Sequence, residues 1–384
     1  MTAVAGPQVP AQLGNRPQQG GVIPFRRATT PRTSISISTS NTQTTSTQNL
    51  SVQLEGTGFI TGIELEVVCT TAANAATVVF AADAPYSVLD VISFQDTTGE
   101  ELNLDGFSLY LLNLYGGYLP HSTLLNASAD TNVYLSTSGA GATGGSFRFH
   151  LWVPVAINRR NFLGLLGNQD RSMKYTLRSD VGASGNVYTT PPTTLGTVTI
   201  NRTYESVTVP APVNADKIAQ QVLPPKFGVI NFATRVQMSA VPVGGSTVNH
   251  YLPRIGNTIR LLILVLKSNG SRATAESNLP TRIQFQLGDT PIFQESVQYR
   301  RAIMFKRWGF DAPPGVIVYD FIADLMQRAG DELGVDWLWT AGLANMQFQI
   351  TYPAGFGSTN NSCTVITSDI LVPPGLDVYA PDGV

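Results

Sequence analysis

The sequence predicts an all-β protein built from two tandem eight-stranded jelly rolls, each with a short inserted helix. Three observations lead there: a sustained alternation of apolar and polar residues, an abundance of turn-forming residues, and a strand–turn–helix–glycine pattern that recurs half a chain later. At 384 residues the chain exceeds the roughly 250–300 residues that one core serves, so two domains are expected. With 35 Gly, 24 Pro and only 13% charged residues, it has the profile of a turn-rich β protein.

Residues 1–54 contain no Asp or Glu and carry Arg16, Arg26, Arg27 and Arg32. Too few apolar side chains are present to offset the entropy of ordering, so 1–48 is expected to be a flexible basic arm until it docks. Within it Ser34-Ile35-Ser36-Ile37-Ser38 alternates with period two and could add to a neighbouring sheet edge. From residue 50 the alternation is continuous. Leu50, Val52 and Leu54 form one face, and Phe59, Ile63, Leu65, Val67 and Cys69 are predicted to share another. Further strands are predicted at 76–80, 88–95, 131–136, 146–155, 173–178 and 197–209, completing a first jelly roll over 49–209.

Pro210, Pro212, Pro224 and Pro225 break any ladder running along the chain, so 210–226 is read as the linker. A second jelly roll over 227–374 follows, with strands at 228–238, 247–252, 258–267, 281–288, 315–322, 345–352 and 363–372. A short tail occupies 375–384. Ile92-Ser93-Phe94-Gln95 reappears as Ile283-Gln284-Phe285-Gln286, an offset of 191 residues. Each copy leads through a turn into a helical pattern, at 105–115 and 294–307, ended by Gly116-Gly117 and Gly309. Duplication of one domain accounts for this.

Charge this low implies that much of the surface is covered by partner subunits. The net charge of −2 gives no general attraction to nucleic acid or anionic membranes. Cys69 and Cys363 are too few for a disulfide framework and read as buried hydrophobes. The longest apolar run, 261–266, is far shorter than the roughly 20 residues that span a bilayer. No apolar signal core appears near the amino terminus, so synthesis and assembly in the cytoplasm are expected.

The order of several segments resembles the major capsid proteins of tectiviruses, tailless bacteriophages with an internal membrane, which are related in architecture to adenovirus hexon. The resemblance is carried by Val88-Leu89-Asp90-Val91-Ile92-Ser93-Phe94 before the first helix, by Trp152-Val153-Pro154-Val155-Ala156 followed by Asn161-Phe162-Leu163-Gly164-Leu165-Leu166, and by Tyr299-Arg300-Arg301-Ala302-Ile303 before Pro314-Gly315-Val316. Residues 323–341, with a helix-like pattern from Asp324 to Trp339, depart from it as an insertion. The resemblance implies a homotrimer whose six jelly rolls make a pseudo-hexagonal unit of an icosahedral capsid. It also implies neighbouring trimers, penton and minor capsid proteins as partners, and an arm at the inner surface beside the membrane.

Arg16, Arg26, Arg27 and Arg32 are accordingly the candidate contacts to membrane lipid or nucleic acid. Arg300, Arg301, Lys306 and Arg307 could bind phosphate, but complementing the helix dipole is the simpler role. The glycine run 139–145 lacks the Lys-Ser/Thr pair of a phosphate loop. Asp331, Glu332 and Asp336 lack calcium-loop spacing. His121, His150 and His250 are dispersed, and Glu100-Glu101 should point to opposite faces of a strand. Asn126, Asn201 and Asn269 begin glycosylation patterns to which no role is assigned. No catalytic, metal or cofactor site is therefore expected. A major capsid protein is the favoured reading, over a virion spike or a jelly-roll carbohydrate-active protein.

Overall fold

The computed structural model describes residues 23–33, 37–56, 58–72, 77–97, 99–118, 133–135, 144–157, 162–170, 172, 174–213, 222–238, 245–252, 254–322, 337–357 and 359–373. Eight principal strands make a first sandwich: β1 Ile37–Thr42, β2 Ser51–Gln53, β3 Gly58–Thr70, β4 Leu89–Gln95, β5 Glu100–Leu104, β6 Phe147–Pro154, β7 Thr176–Val181 and β8 Thr197–Val207. Eight more make a second: β9 Ile230–Met238, β10 Thr247–Tyr251, β11 Thr258–Ser268, β12 Arg282–Leu287, β13 Thr290–Glu295, β14 Val316–Asp320, β15 Met346–Thr351 and β16 Ser362–Leu371. Helix α1, Gly106–Tyr115, follows β5, and helix α2, Val297–Trp308, follows β13.

The two sandwiches share one pairing scheme. In the first, β1 pairs with β8, β8 with β3 and β3 with β6, facing a sheet in which β2 pairs with β7, β7 with β4 and β4 with β5. In the second, β9 pairs with β16, β16 with β11 and β11 with β14, facing β10 on β15, β15 on β12 and β12 on β13. Every pairing has its counterpart eight strands later, all antiparallel. Even the irregularities match, for Thr61 is an extra residue where β3 meets β8 and Arg260 is an extra residue where β11 meets β16. The jelly roll is duplicated within the chain.

The offset of 191 fixes local detail as well. Phe94 and Phe285 are buried in the two cores, and each lies opposite a hairpin partner, Leu102 and Phe293. Asp105 and Ser296 cap the two helices, accepting from the backbone N–H of Ser108 at 2.6 Å and of Tyr299 at 3.2 Å. Gly309 ends α2 in the left-handed region at φ 74°, where a side chain would be strained.

Several expectations need correction. The hairpin strands β5 and β13 lie where the sequence predicts turns, and α2 begins at Val297 rather than 294 because Ser296 is extended and caps it. Phe59 does not share the face of Ile63: the bulge at Thr61 reverses the alternation, so Ile60 enters the main core and Phe59 the opposite side. The arm is ordered well before residue 49. Pro31–Thr33 and β1 together line the edge of β8, which offers unpaired backbone donors and acceptors along its length. Residues 323–336 of the insertion lie outside the described residues, but Leu338–Trp339 form a strand on Thr258 and Ile259 rather than a helix end.

Replacing either Phe94 or Phe285 by Ala should cost about 3–5 kcal/mol by leaving a cavity. The two losses should be similar in denaturant unfolding, because the two rings occupy equivalent core positions.

Candidate assembly surface

The sandwiches are joined edge to edge. Leu102 and Asn103 of β5 pair in parallel with Ala233 and Thr234 of β9, so one sheet runs from the first sandwich into the second. Strand continuity thus bypasses the Pro-rich 210–226 segment. Strand β11 explains why the joint holds. Ile259, Leu262, Leu264 and Leu266 face the second core, while Leu261, Ile263 and Val265 belong to the cluster that contains α1 and the first core. A strand buried on both faces reads as a continuous apolar run, which is what 261–266 is.

Helix α1 is buried along almost its whole surface between the sandwiches, only Tyr110 being partly exposed. Its Asn113 donates to the Trp152 carbonyl at 2.7 Å and accepts from the Trp152 N–H at 2.6 Å, fixing the helix to β6. Tyr115 packs edge-on against Trp308, with ring centroids 5.8 Å apart. Beside the helix a polar cleft of about 910 Å³ is crossed by ion pairs. Asp83 of the first sandwich meets Arg272 at 2.7 Å and Lys267 at 3.9 Å. Arg235 of β9 bonds to Asp105 and, at 3.2 Å, to the Asp90 carbonyl.

The arm's anchor is Phe25, in the helical turn Phe25–Ala28, whose ring packs edge-on against Phe59 at 5.3 Å and Phe162 at 5.6 Å. Arg26, Arg27 and Arg32 are exposed beside it. Arg16 lies outside the described residues. Three of the four basic residues of α2 are already engaged. Arg300 is buried, donates to the Val318 carbonyl at 2.8 Å and lies 3.4 Å from Glu295, Arg301 meets Glu276 at 2.5 Å, and Arg307 meets Asp320 at 2.6 Å. Lys306 is exposed. These pairings favour a structural role for the helix end over a phosphate patch.

His150 sits on β6 at 3.2 Å from Glu64, and His250 bonds to the Tyr352 hydroxyl at 2.9 Å inside the second core. His121, Asn126, the glycine run 139–143 and Asp331, Glu332 and Asp336 lie outside the described residues. Among the described residues no group of three His, Cys, Asp or Glu side chains is placed to hold a metal ion, and no helix is long and apolar enough to cross a membrane. Glu100 is exposed and bonded by Asn103 at 2.8 Å, whereas Glu101 is buried, as alternation along a strand requires.

No family model matches the chain, and no curated protein matches it in sequence. Solved structures do match in shape. The crystal structure of the STIV MCP, from Sulfolobus Turreted Icosahedral Virus, superposes with a TM-score of 0.62 at 12% identity, covering 90% of this chain and 97% of that one. This chain has the double jelly-roll fold. The PBCV-1 virus capsid gives 0.60 at 13% identity over 89% of this chain and 93% of that one. The major capsid protein P2 of bacteriophage PM2 gives 0.52 at 11% identity over 90% and 99%. A double jelly roll shared over nearly the full length of both chains, at identities this low, is a likeness of fold.

Burial beside Asp96 pushes the Glu101 carboxyl from the ordinary glutamate range up to about 8. A raised folded-state value contributes stability that is complete below about pH 4.5 and is lost as pH rises through 8, on the order of a few kcal/mol in all. Glu101→Gln should therefore leave the melting temperature nearly unchanged at pH 4.5 but raise it above that of the parent at pH 8.5. Equal melting temperatures at pH 8.5 would count against a buried, protonated Glu101.

Proposed function

We propose that the chain is a major capsid protein, structural rather than catalytic, that self-assembles as pseudo-hexameric trimers into an icosahedral shell. The observation that carries this reading is the repeated pairing scheme: one chain contributes two equivalent sandwiches, so three chains supply six to a ring with only threefold symmetry. The likeness to solved viral capsid proteins over about nine-tenths of each chain supports it. In this reading 49–209 and 227–374 are the two jelly-roll units, joined by 210–226, and β1 of the arm completes the first.

The shell is proposed to enclose a lipid membrane, after assembly in the host cytoplasm, with penton and minor capsid proteins completing it. The arm, free of acidic residues and presenting Arg26, Arg27 and Arg32, would face inward, where membrane headgroups or packaged nucleic acid supply negative charge. Each basic residue close to an anionic bilayer contributes about 1 kcal/mol.

Native mass measurement and negative-stain imaging of the purified protein should show trimers that build hexagonal plates or shells. A protein that stays monomeric at all concentrations would defeat the proposal. Changing Arg16, Arg26, Arg27 and Arg32 together to Gln should weaken binding to vesicles containing anionic lipid. Retention equal to that of the parent would remove the arm's assigned role while leaving the shell role standing.

A further inference from the structure

The ion pairs that cross the polar cleft beside α1 occupy only part of its wall. At about 910 Å³ the cleft matches the roughly 300–1,000 Å³ of small-molecule sites, but those are mostly apolar and this one is not. Its charged lining balances, Asp83, Asp90 and Asp105 against Arg235, Lys267 and Arg272. Those three cations already meet Asp83 and Asp105, so no excess charge is left to select an ion. Neither aromatic ring in the lining offers a free face. The Arg272 guanidinium lies over Phe107, 5.4 Å from its centroid, and Tyr188 is buried, its hydroxyl donating to the Gly145 carbonyl at 2.6 Å.

What the cleft does offer is uncommitted hydrogen bonding from both sandwiches. On the first wall Asp90 of β4 accepts from the Thr47 hydroxyl at 3.1 Å through one carboxylate oxygen, and Asn186 stands beside it. A Cβ at Gly182 would come 2.8 Å from Asn186 Nδ2 and 3.2 Å from Asp90 Cβ, so glycine there lets the two side chains reach the cleft together. On the second wall Ser271 and Asn360 are exposed. Asn360 has the left-handed φ of 49°, and its carbonyl accepts from the Gly270 N–H at 3.1 Å. Among the described residues no hydrogen bond occupies the side chains of Asn186, Ser271 or Asn360. Amides and a hydroxyl facing a carboxylate suit a row of ligand hydroxyls, each of which both donates and accepts.

We infer that this cleft binds a neutral oligosaccharide, with Asp90 and Asn186 on one side of the sugar and Ser271 and Asn360 on the other. Its place in the fold gives the site a use. Ser362 of β16 lies at the cleft, opposite Lys267. Ile370, near the other end of that ten-residue strand and so about 30 Å away, packs with Leu163, next to the Phe162 ring that holds Phe25 of the arm. If the arm faces inward, as the capsid reading has it, the cleft opens outward, where cell-surface carbohydrate is met. To that extent the inference rests on that reading. Without a stacking ring one cleft binds weakly, and a shell that repeats the cleft over its surface multiplies the affinity by about 10²–10⁴.

Assembled protein applied to a printed array of hexose and N-acetylhexosamine oligosaccharides should be retained by at least one neutral member. Asn186→Ala with Asn360→Gly removes one amide from each wall, and glycine keeps the left-handed backbone at 360 without strain. That variant should assemble with the parent's melting temperature and need at least tenfold more protein for half-maximal retention. Ser271→Ala, at an exposed side chain with no bond to lose, should weaken retention in the same direction and decides the matter if the double variant does not fold. No retention by neutral members, retention by sialylated or sulfated members alone, or unchanged retention of the variants would each overturn the site and leave the capsid reading intact. A parent that stays monomeric overturns the capsid reading instead, and saturation-transfer NMR of the monomer with the same oligosaccharides then tests the cleft by itself.

Discussion

Burial of β11 on both faces is the constraint from which the rest of the architecture follows. A jelly-roll strand ordinarily buries one face and wets the other. Leu261, Ile263 and Val265 would then lie open to water, and burying each such side chain is worth about 1.5–3 kcal/mol. Covering them requires the first sandwich and α1 to sit against the second, and that placement brings β5 alongside β9 so that the sheet can continue. The ion pairs of Asp83 and Asp105 with Arg272 and Arg235 then fix orientation at the rim of the contact. They are partly exposed and contribute less than the apolar centre.

Duplicated sandwiches carry different outer faces because their neighbours differ. Strand β3 alternates, with Glu64 and Glu66 outward between Ile63, Leu65 and Val67, while the same positions on β11 are apolar. The helices diverge in the same way. Helix α1 is mostly apolar and buried on nearly every side, and α2 replaces several of its covered positions with exposed aromatic and basic ones. One backbone plan therefore supports a permanent contact inside the chain and a solvent-tolerant surface at its ends.

Much of this was legible in the sequence, and the part that was not has definite causes. Period-two alternation located most of the long strands, and the recurrence of Ile-x-Phe-Gln at 92 and 283 exposed the duplication, because both segments fill the same core position. Strands β5 and β13 leave no strand signal because Glu100, Glu101, Thr290 and Pro291 resemble turn chemistry; tertiary pairing with β4 and β12 overrides local preference. The face of Phe59 could not be read because a bulge leaves no compositional mark. The run 261–266 did carry a signal for two-sided burial, although on its own it located no partner. For the candidate site, charge alone singled out Arg26, Arg27 and Arg32, which are exposed, but it gave no warning that Arg300 lies buried over Tyr319.

The arm illustrates how composition can mislead about order. Low apolar content over 1–48 argues for a flexible segment, yet one phenylalanine and one vacant strand edge are enough to fix its second half. Phe25 supplies the apolar anchor between Phe59 and Phe162, and β8 supplies backbone partners that ask nothing of side-chain chemistry, so Ser and Thr serve as well as Val. The second sandwich fills the same edge with β9, which arrives from the linker. In the first sandwich the arm fills that edge. Arg26 and Arg27 consequently project from a turn already anchored by Phe25, and an anionic partner meeting them need not also offset the entropy of ordering that turn.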